Sequence, residues 1–168
     1  MRVLIIGGNG FLGQYLCEVL VEKHRCDVIA THRRELICDE RKKGITYYNV
    51  DLNQSSETLK ELLFDVDVVV ITIKPNIIHA QRIQEAIKSC HTLKKIVYIS
   101  TIMVYPDSTI PQDESIQPYV LTEYEKIKVE EEKLFRIFVK DSDYELCITR
   151  LGNVYGDLKD QGIINYII

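Results

Sequence analysis

No apolar run in this chain approaches the ~20 residues that a membrane-spanning helix needs. The N-terminus runs straight into a strand-like segment. Secretion and membrane insertion are thereby excluded as working readings, and a cytoplasmic protein is expected. No basic block occurs either: 21 Lys plus Arg stand against 25 Asp plus Glu, a formal charge of −4. A mildly acidic chain argues against nucleic acid or an anionic membrane as partner. The five cysteines (Cys17, Cys26, Cys38, Cys90 and Cys147) are odd in number, widely spaced and contain no C-x-x-C pair. Free, mostly buried thiols are expected rather than disulfides. His24, His32, His79 and His91 show no H-x-x-x-H spacing and no nearby Cys or carboxylate cluster, so no metal site is predicted.

What is present is ordinary globular material: 168 residues, 46% hydrophobic and 27% charged. That length suits one domain over residues 1–168 with a sizeable core. Short apolar runs alternate with amphipathic stretches. Val3–Ile6, Val28–Ala30, Thr46–Val50, Val66–Ile73, Ile96–Ser100 and Leu146–Thr149 are predicted strands, the continuous runs suiting strands buried on both faces. Between them, a helix from Phe11 to about Lys23 is expected to turn Leu12, Tyr15, Leu16, Val19 and Leu20 inward. A short helix capped by Ser55 or Ser56 follows, with Leu59, Leu62 and Leu63 inward. Pro75 suits the first turn of a third helix carrying Ile78, Ile83, Ala86 and Ile87. A long charged helix is predicted from about Leu121 to Val139, and Gly162–Ile168 looks like the start of another. This alternation implies a doubly wound α/β domain, a mostly parallel Rossmann sheet with helices on both faces.

The turn after the first strand reads Gly7-Gly8-Asn9-Gly10-Phe11-Leu12-Gly13, with glycines three apart. Gly7 allows the tight turn, Gly10 lets backbone approach a pyrophosphate, and Gly13 lets helix and strand pack closely. The helix then offers its first N–H groups, from Phe11 and Leu12 onward, and its positive dipole end to phosphate. Strand before and helix after give the triplet its required context for dinucleotide binding. The second strand ends in Thr31-His32-Arg33-Arg34, without the acid that would bind a ribose 2′-OH. Arg33 and Arg34 suit a 2′-phosphate, which favours NADP over NAD; two solvated surface arginines are the competing reading. Asp51-Leu52 follows the third strand, where a carboxylate suits the adenine amino group and equally suits a turn before Asn53.

Tyr124 and Lys128 stand four apart on the long helix and so share a face. An ammonium beside a phenol is expected to pull the tyrosine pKa down toward neutrality, as proton transfer requires. Thr101 closes the fifth strand, at the carboxyl edge where such folds bind ligands. Tyr119 has Glu123, not lysine, four residues on.

These residues carry a family resemblance over the whole chain. Gly7/Gly10/Gly13, Asp51-Leu52, the Val97–Tyr105 stretch, Glu114, Tyr124 with Lys128, and Arg150 to Gly156 resemble the N-terminal part of an extended short-chain dehydrogenase/reductase. That group contains nucleotide-sugar epimerases, dehydratases and reductases. The resemblance implies Thr101, Tyr124 and Lys128 as the catalytic set, with Tyr124 the acid–base and Lys128 also on the nicotinamide ribose. It implies substrate contact by Thr101 and Asn153, and places Thr31, Ile73 and Asn76 with the cofactor. A nucleotide-sugar substrate is the implied small-molecule partner, and a homodimer is compatible with it.

Departures from the family pattern narrow the chemistry. Ile102-Met103 stand where the sugar dehydratases carry Asp-Glu, and neither can transfer a proton. Pro106 stands where many members have Gly, and Leu151 and Asp157 replace two prolines of the motif around Asn153. The leading expectation is an oxidoreductase or epimerase on a nucleotide-activated sugar, keto-sugar reduction foremost. Members of the family are longer, so the chain is expected to be a truncated one, lacking much of the substrate lobe. A non-catalytic NADP-binding module or remnant is the alternative.

Overall fold

A computed structural model of the protein describes residues 1–34 and 41–155. Cys38, Asp157 and the predicted Gly162–Ile168 helix lie outside them. The elements run β1 (Arg2–Ile6), α1 (Phe11–Glu22), β2 (Asp27–His32), β3 (Ile45–Asn49), α2 (Glu57–Leu62), β4 (Val68–Ile71), α3 (Ile77–Ile87), β5 (Lys95–Thr101), a short 3-10 turn (Ile102–Val104), α4 (Glu123–Val139) and β6 (Glu145–Leu151). The six strands form one sheet in the order β3-β2-β1-β4-β5-β6, every pairing parallel. The predicted doubly wound Rossmann sheet is therefore present. Strand order reverses between β1 and β4, and a crevice opens there at the carboxyl ends of such sheets.

Helices cover both faces. Against α2, α3 and α4, the strand residues Leu4, Ile6, Val69, Ile71, Ile96 and Tyr98 pack on Leu59, Ile83, Ile87 and Phe135. On the opposite face Val3, Ile5, Val28 and Ala30 pack on Cys17 of α1. The central strands are buried on both sides, which is why they read as unbroken apolar runs.

The helices correct several expectations. Tyr15 is exposed, while Gly13, Gln14 and Cys17 form the inner face of α1, because that helix lies so close to the glycine loop that only small or slender side chains fit. Pro75 falls outside α3, which Asn76 caps by accepting from the His79 N–H at 3.2 Å, and Ile78 is exposed. Ser56 takes the N-cap position of α2 without a side-chain bond; the Ser55 hydroxyl accepts from Glu57 N instead, at 3.0 Å. The long helix begins at Glu123 rather than Leu121, since Thr122 and Glu125 close a capping box, and Leu121 is left exposed.

Cys17, Cys26 and Cys90 are free and buried, and Cys147 is free and half-buried. Burial pushes the Cys17 thiol up to about 12, so it stays protonated at neutral pH. Among the described residues no helix is long and apolar enough to cross a membrane, and no three His, Cys, Asp or Glu side chains gather to hold a metal.

Candidate functional site

The loop after β1 is built by the absence of side chains. Gly7 sits at φ +90°, and a Cβ there would lie 2.8 Å from both Ile73 and Thr72 at the end of β4. At Gly13 a Cβ would collide with the Gly7 carbonyl and stand 2.8 Å from Gly8 Cα. Gly10 is the N-cap of α1 with no side-chain capping bond, and the first turn carries no acidic residue. The loop's backbone thus comes to the crevice bare, with the positive end of α1 behind it. Gly8, which has no part in the three-residue spacing, is equally constrained: a Cβ would meet that of Ala30 on β2 at 2.5 Å.

In front of this loop lies a cavity of about 340 Å³, walled by Gly7 and Gly10, the ends of β2 and β3, and residues 72–74 after β4. Ile6, Val50, Leu52 and Ile73 give it an apolar lining, with His32, Arg33, Asp51, Lys74 and His79 as its charged or titratable members. Thr31 is buried, and its hydroxyl accepts from Gly7 N at 3.1 Å, so it braces the loop from inside the cavity wall. Arg33 lines the cavity; the lining does not include Arg34, Phe11 or Leu12. Asp51 lines it while making the turn the sequence also allowed, accepting from Asn53 N at 2.9 Å and Gln54 Nε2 at 3.1 Å. The Asn53 backbone N–H is the main cause that holds the Asp51 carboxyl below its usual range, with Arg33 a lesser one. Asn76 lies beyond the cavity wall as a helix cap.

The second cluster lies one strand further across the sheet. Thr101 ends β5 nearly buried, its hydroxyl accepting from Met103 N at 3.2 Å and so keeping its own proton to donate. Tyr124 is half-exposed in the first turn of α4. Lys128, one turn on, is buried and does not take Tyr124 as its partner. Its ammonium donates to the Ile99 carbonyl at 2.7 Å and the Tyr98 hydroxyl at 3.0 Å. Burial, and then the charge of Glu131, push the Tyr124 phenol up, the reverse of the expected depression. The lysine faces inward because Tyr98 and two carboxylates wait there; Glu131 and Glu132 offset the burial that lowers its own pKa. Asn153 is exposed just past β6, and Tyr119 is exposed before α4.

Sequence reasoning missed the wall residues His32, Lys74 and His79, and the buried acids Glu131 and Glu132. Glu132 accepts from Ser100 at 2.6 Å, from Arg150 at 2.7 and 3.0 Å, and from Arg136 at 3.1 Å. The available signal was spacing: residues three and four beyond Lys128 share its inward face.

Known proteins resemble this chain over most of its length. The family description "NAD dependent epimerase/dehydratase family" matches residues 3–168. A UDP-glucuronic acid decarboxylase of Arabidopsis thaliana is 31% identical over 179 residues, covering 93% of this chain and 52% of that protein. The solved structure of a UDP-glucuronic acid 4-epimerase from Bacillus cereus in complex with NAD superposes with a TM-score of 0.80 at 25% identity, covering 93% of this chain and 57% of that one. A UDP-glucose 4-epimerase of Thermus thermophilus shares the fold with a TM-score of 0.85 at 20% identity, covering 99% of this chain and 60% of its own. The chain thus spans about half the length of the curated relatives it matches.

Proposed function

The chain belongs to the NAD dependent epimerase/dehydratase family, and from that premise we propose that residues 1–168 form a nicotinamide-dinucleotide-binding domain serving hydride exchange on a nucleotide-activated sugar. The observation that carries the reading is the bare glycine loop, where Cβ atoms at Gly7 and Gly13 would collide with their neighbours beside an uncapped helix end. In this reading the loop amides and the α1 terminus hold the pyrophosphate, and the apolar cavity takes the adenosine half. In this reading Arg33 meets the ribose 2′ position, and Thr31-His32-Arg33-Arg34 at the carboxyl end of β2 bring no carboxylate to repel phosphate, so NADP is the preferred dinucleotide and NAD the second. Thr31, Asp51, Leu52 and Ile73 wall that pocket, and Arg34 and Asn76 stand outside its lining.

Thr101, Tyr124 and Lys128 make up the reacting end, and Asn153 meets the substrate. A bound nicotinamide ring supplies the hydride donor or acceptor. Thr101 orients the sugar oxygen with its free hydroxyl proton, Tyr124 gives or takes the proton on that oxygen, and Lys128 supplies positive charge behind them. Reduction of a keto-sugar is the proposed direction. The UDP-sugars named for the Arabidopsis and Bacillus relatives support the substrate class. A second reading, dinucleotide binding without turnover, is favoured by the inward bonds of Lys128, which leave Tyr124 with no ammonium partner and an elevated pKa.

Calorimetric titration with NADP+ and NAD+ tests the site. Gly10→Val should abolish binding of both, since the new side chain stands where phosphate must lie. Arg33→Ala should weaken NADP+ by about tenfold or more, the worth of a charge-assisted contact, and leave NAD+ unchanged. Failure of the unmutated chain to bind either dinucleotide overturns the reading. Consumption of NADPH with a keto-sugar nucleotide, lost in Tyr124→Phe but not Tyr119→Phe, separates the catalytic reading from the binding one.

A further inference from the structure

The buried acids of α4 do different work. Glu132 is spent on Arg150 and Arg136, whereas its neighbour Glu131, 3% exposed, holds two uncharged donors. One of its oxygens accepts from Asn76 N at 3.0 Å, and the other accepts from the Tyr98 hydroxyl. That hydroxyl accepts in turn from the Lys128 ammonium, which also sits 4.6 Å over the Tyr98 ring. Ammonium, phenol and carboxylate therefore form one polarised chain, in which each bond strengthens the next. Its far end is the backbone of residue 76, two residues beyond the cavity-lining Lys74.

We infer that Glu131 is a positioning residue that, through the Tyr98 hydroxyl, fixes the Lys128 ammonium and ties it to Asn76, just past the cavity wall at residues 72–74. The role of Lys128 in the reaction rests on the function proposed above; the placement of its charge does not. An unpaired buried ammonium is costly, and such a lysine sheds its proton or leaves the site. The groups facing Lys128 are Tyr98 and the Ile99 carbonyl on β5 and Glu131 and Glu132 on α4, with Tyr124 near Tyr98 and Arg150 of β6 behind Glu132. Arg150 and Arg136 already answer Glu132, so of the two carboxylates that support the lysine Glu131 is the stronger.

The test is a side-chain NMR titration of the ligand-free full chain labelled with 13C-lysine, Lys128 being assigned by its loss in Lys128→Arg. Glu131→Gln should lower the Lys128 midpoint by about one pH unit or more, the size of losing a nearby opposite charge, with the other lysines unmoved. Tyr98→Phe keeps the ring contact with Phe135 at 5.1 Å, removes only the relay oxygen, and should also lower the midpoint. It remains readable where Glu131→Gln does not fold. NADP+ affinity should then begin to fall at a lower pH in either variant than in the unmutated chain. A Lys128 midpoint unchanged or raised in Tyr98→Phe overturns the inference. Loss of dinucleotide binding by the unmutated chain at every pH would instead sink the function it serves.

Discussion

The two halves of the sheet build their sites by opposite means. On the β1–β2–β3 side the site is made by leaving side chains out: glycines at 7, 8, 10 and 13 let loop, helix and strands close on one another. On the β5–β6 side it is made by putting charge in: Lys128, Glu131 and Glu132 are each less than 5% exposed between α4 and the sheet. The first device is local and steric, so its tolerance is a matter of tenths of an ångström. The second is electrostatic and long-range in sequence, reaching from Asn76 to Arg150, so it holds only if every member is present. A glycine loop alone places a phosphate; the charged layer decides where a proton and a positive charge can stand.

The largest expected effect breaks the charged half. Glu132→Ala leaves Arg150 and the Ser100 hydroxyl buried without their acceptor and should cost about 3–5 kcal/mol of stability. Urea unfolding measures it. A loss below ~1 kcal/mol would mean that Arg150 finds water or Tyr105, whose ring it already covers at 4.7 Å, and that the layer is not cooperative. The glycine half should break more gently. Gly13→Val, forced against the Gly7 and Gly8 backbone, should cost about 1–3 kcal/mol, or more if α1 cannot shift away from the loop. The same unfolding curves rank the two.

This contrast also explains what could be read from the sequence. The parallel sheet, the helix order and the glycine loop were legible because each follows from local spacing and local sterics. Tyr15 misled, because an apolar period says which residues suit the inside and not how close the neighbouring backbone comes. Tyr124 and Lys128 were legible as a pair, but the state of that pair was not. Spacing puts them on one face, and only the fold shows Tyr98 and Glu131 waiting deeper in and drawing the ammonium inward, while burial first and the Glu131 charge second keep the phenol high. Glu131 and Glu132 did not stand out within the long charged helix, since all their partners but Arg136 lie on β5, β6 and the loop before α3.

The smallest expected effect sharpens the boundary of the charged half, at the entrance to α4. Glu125 closes the capping box by accepting from Leu121 N at 2.6 Å and Thr122 N at 3.0 Å. Those backbone N–H groups, Leu121 first, hold its carboxyl below the usual range. A carboxyl depressed in the folded state contributes stability that is fully present above its unfolded pKa and is lost as pH falls through the folded value. Acidification should therefore destabilise the unmutated chain relative to Glu125→Gln, whose amide oxygen still accepts but does not titrate. The advantage of the unmutated chain should be full at neutral pH and shrink below about pH 4.3, the ordinary carboxylate midpoint. Tyr124 sits within that capped turn, so its fluorescence should loosen before global unfolding in the unmutated chain alone. Parallel pH curves for the two proteins would show that Thr122 caps the helix unaided, its hydroxyl already accepting from Glu125 N at 3.2 Å. The electrostatic layer would then begin at Lys128, with the turn that carries Tyr124 held, like the glycine loop, by backbone geometry.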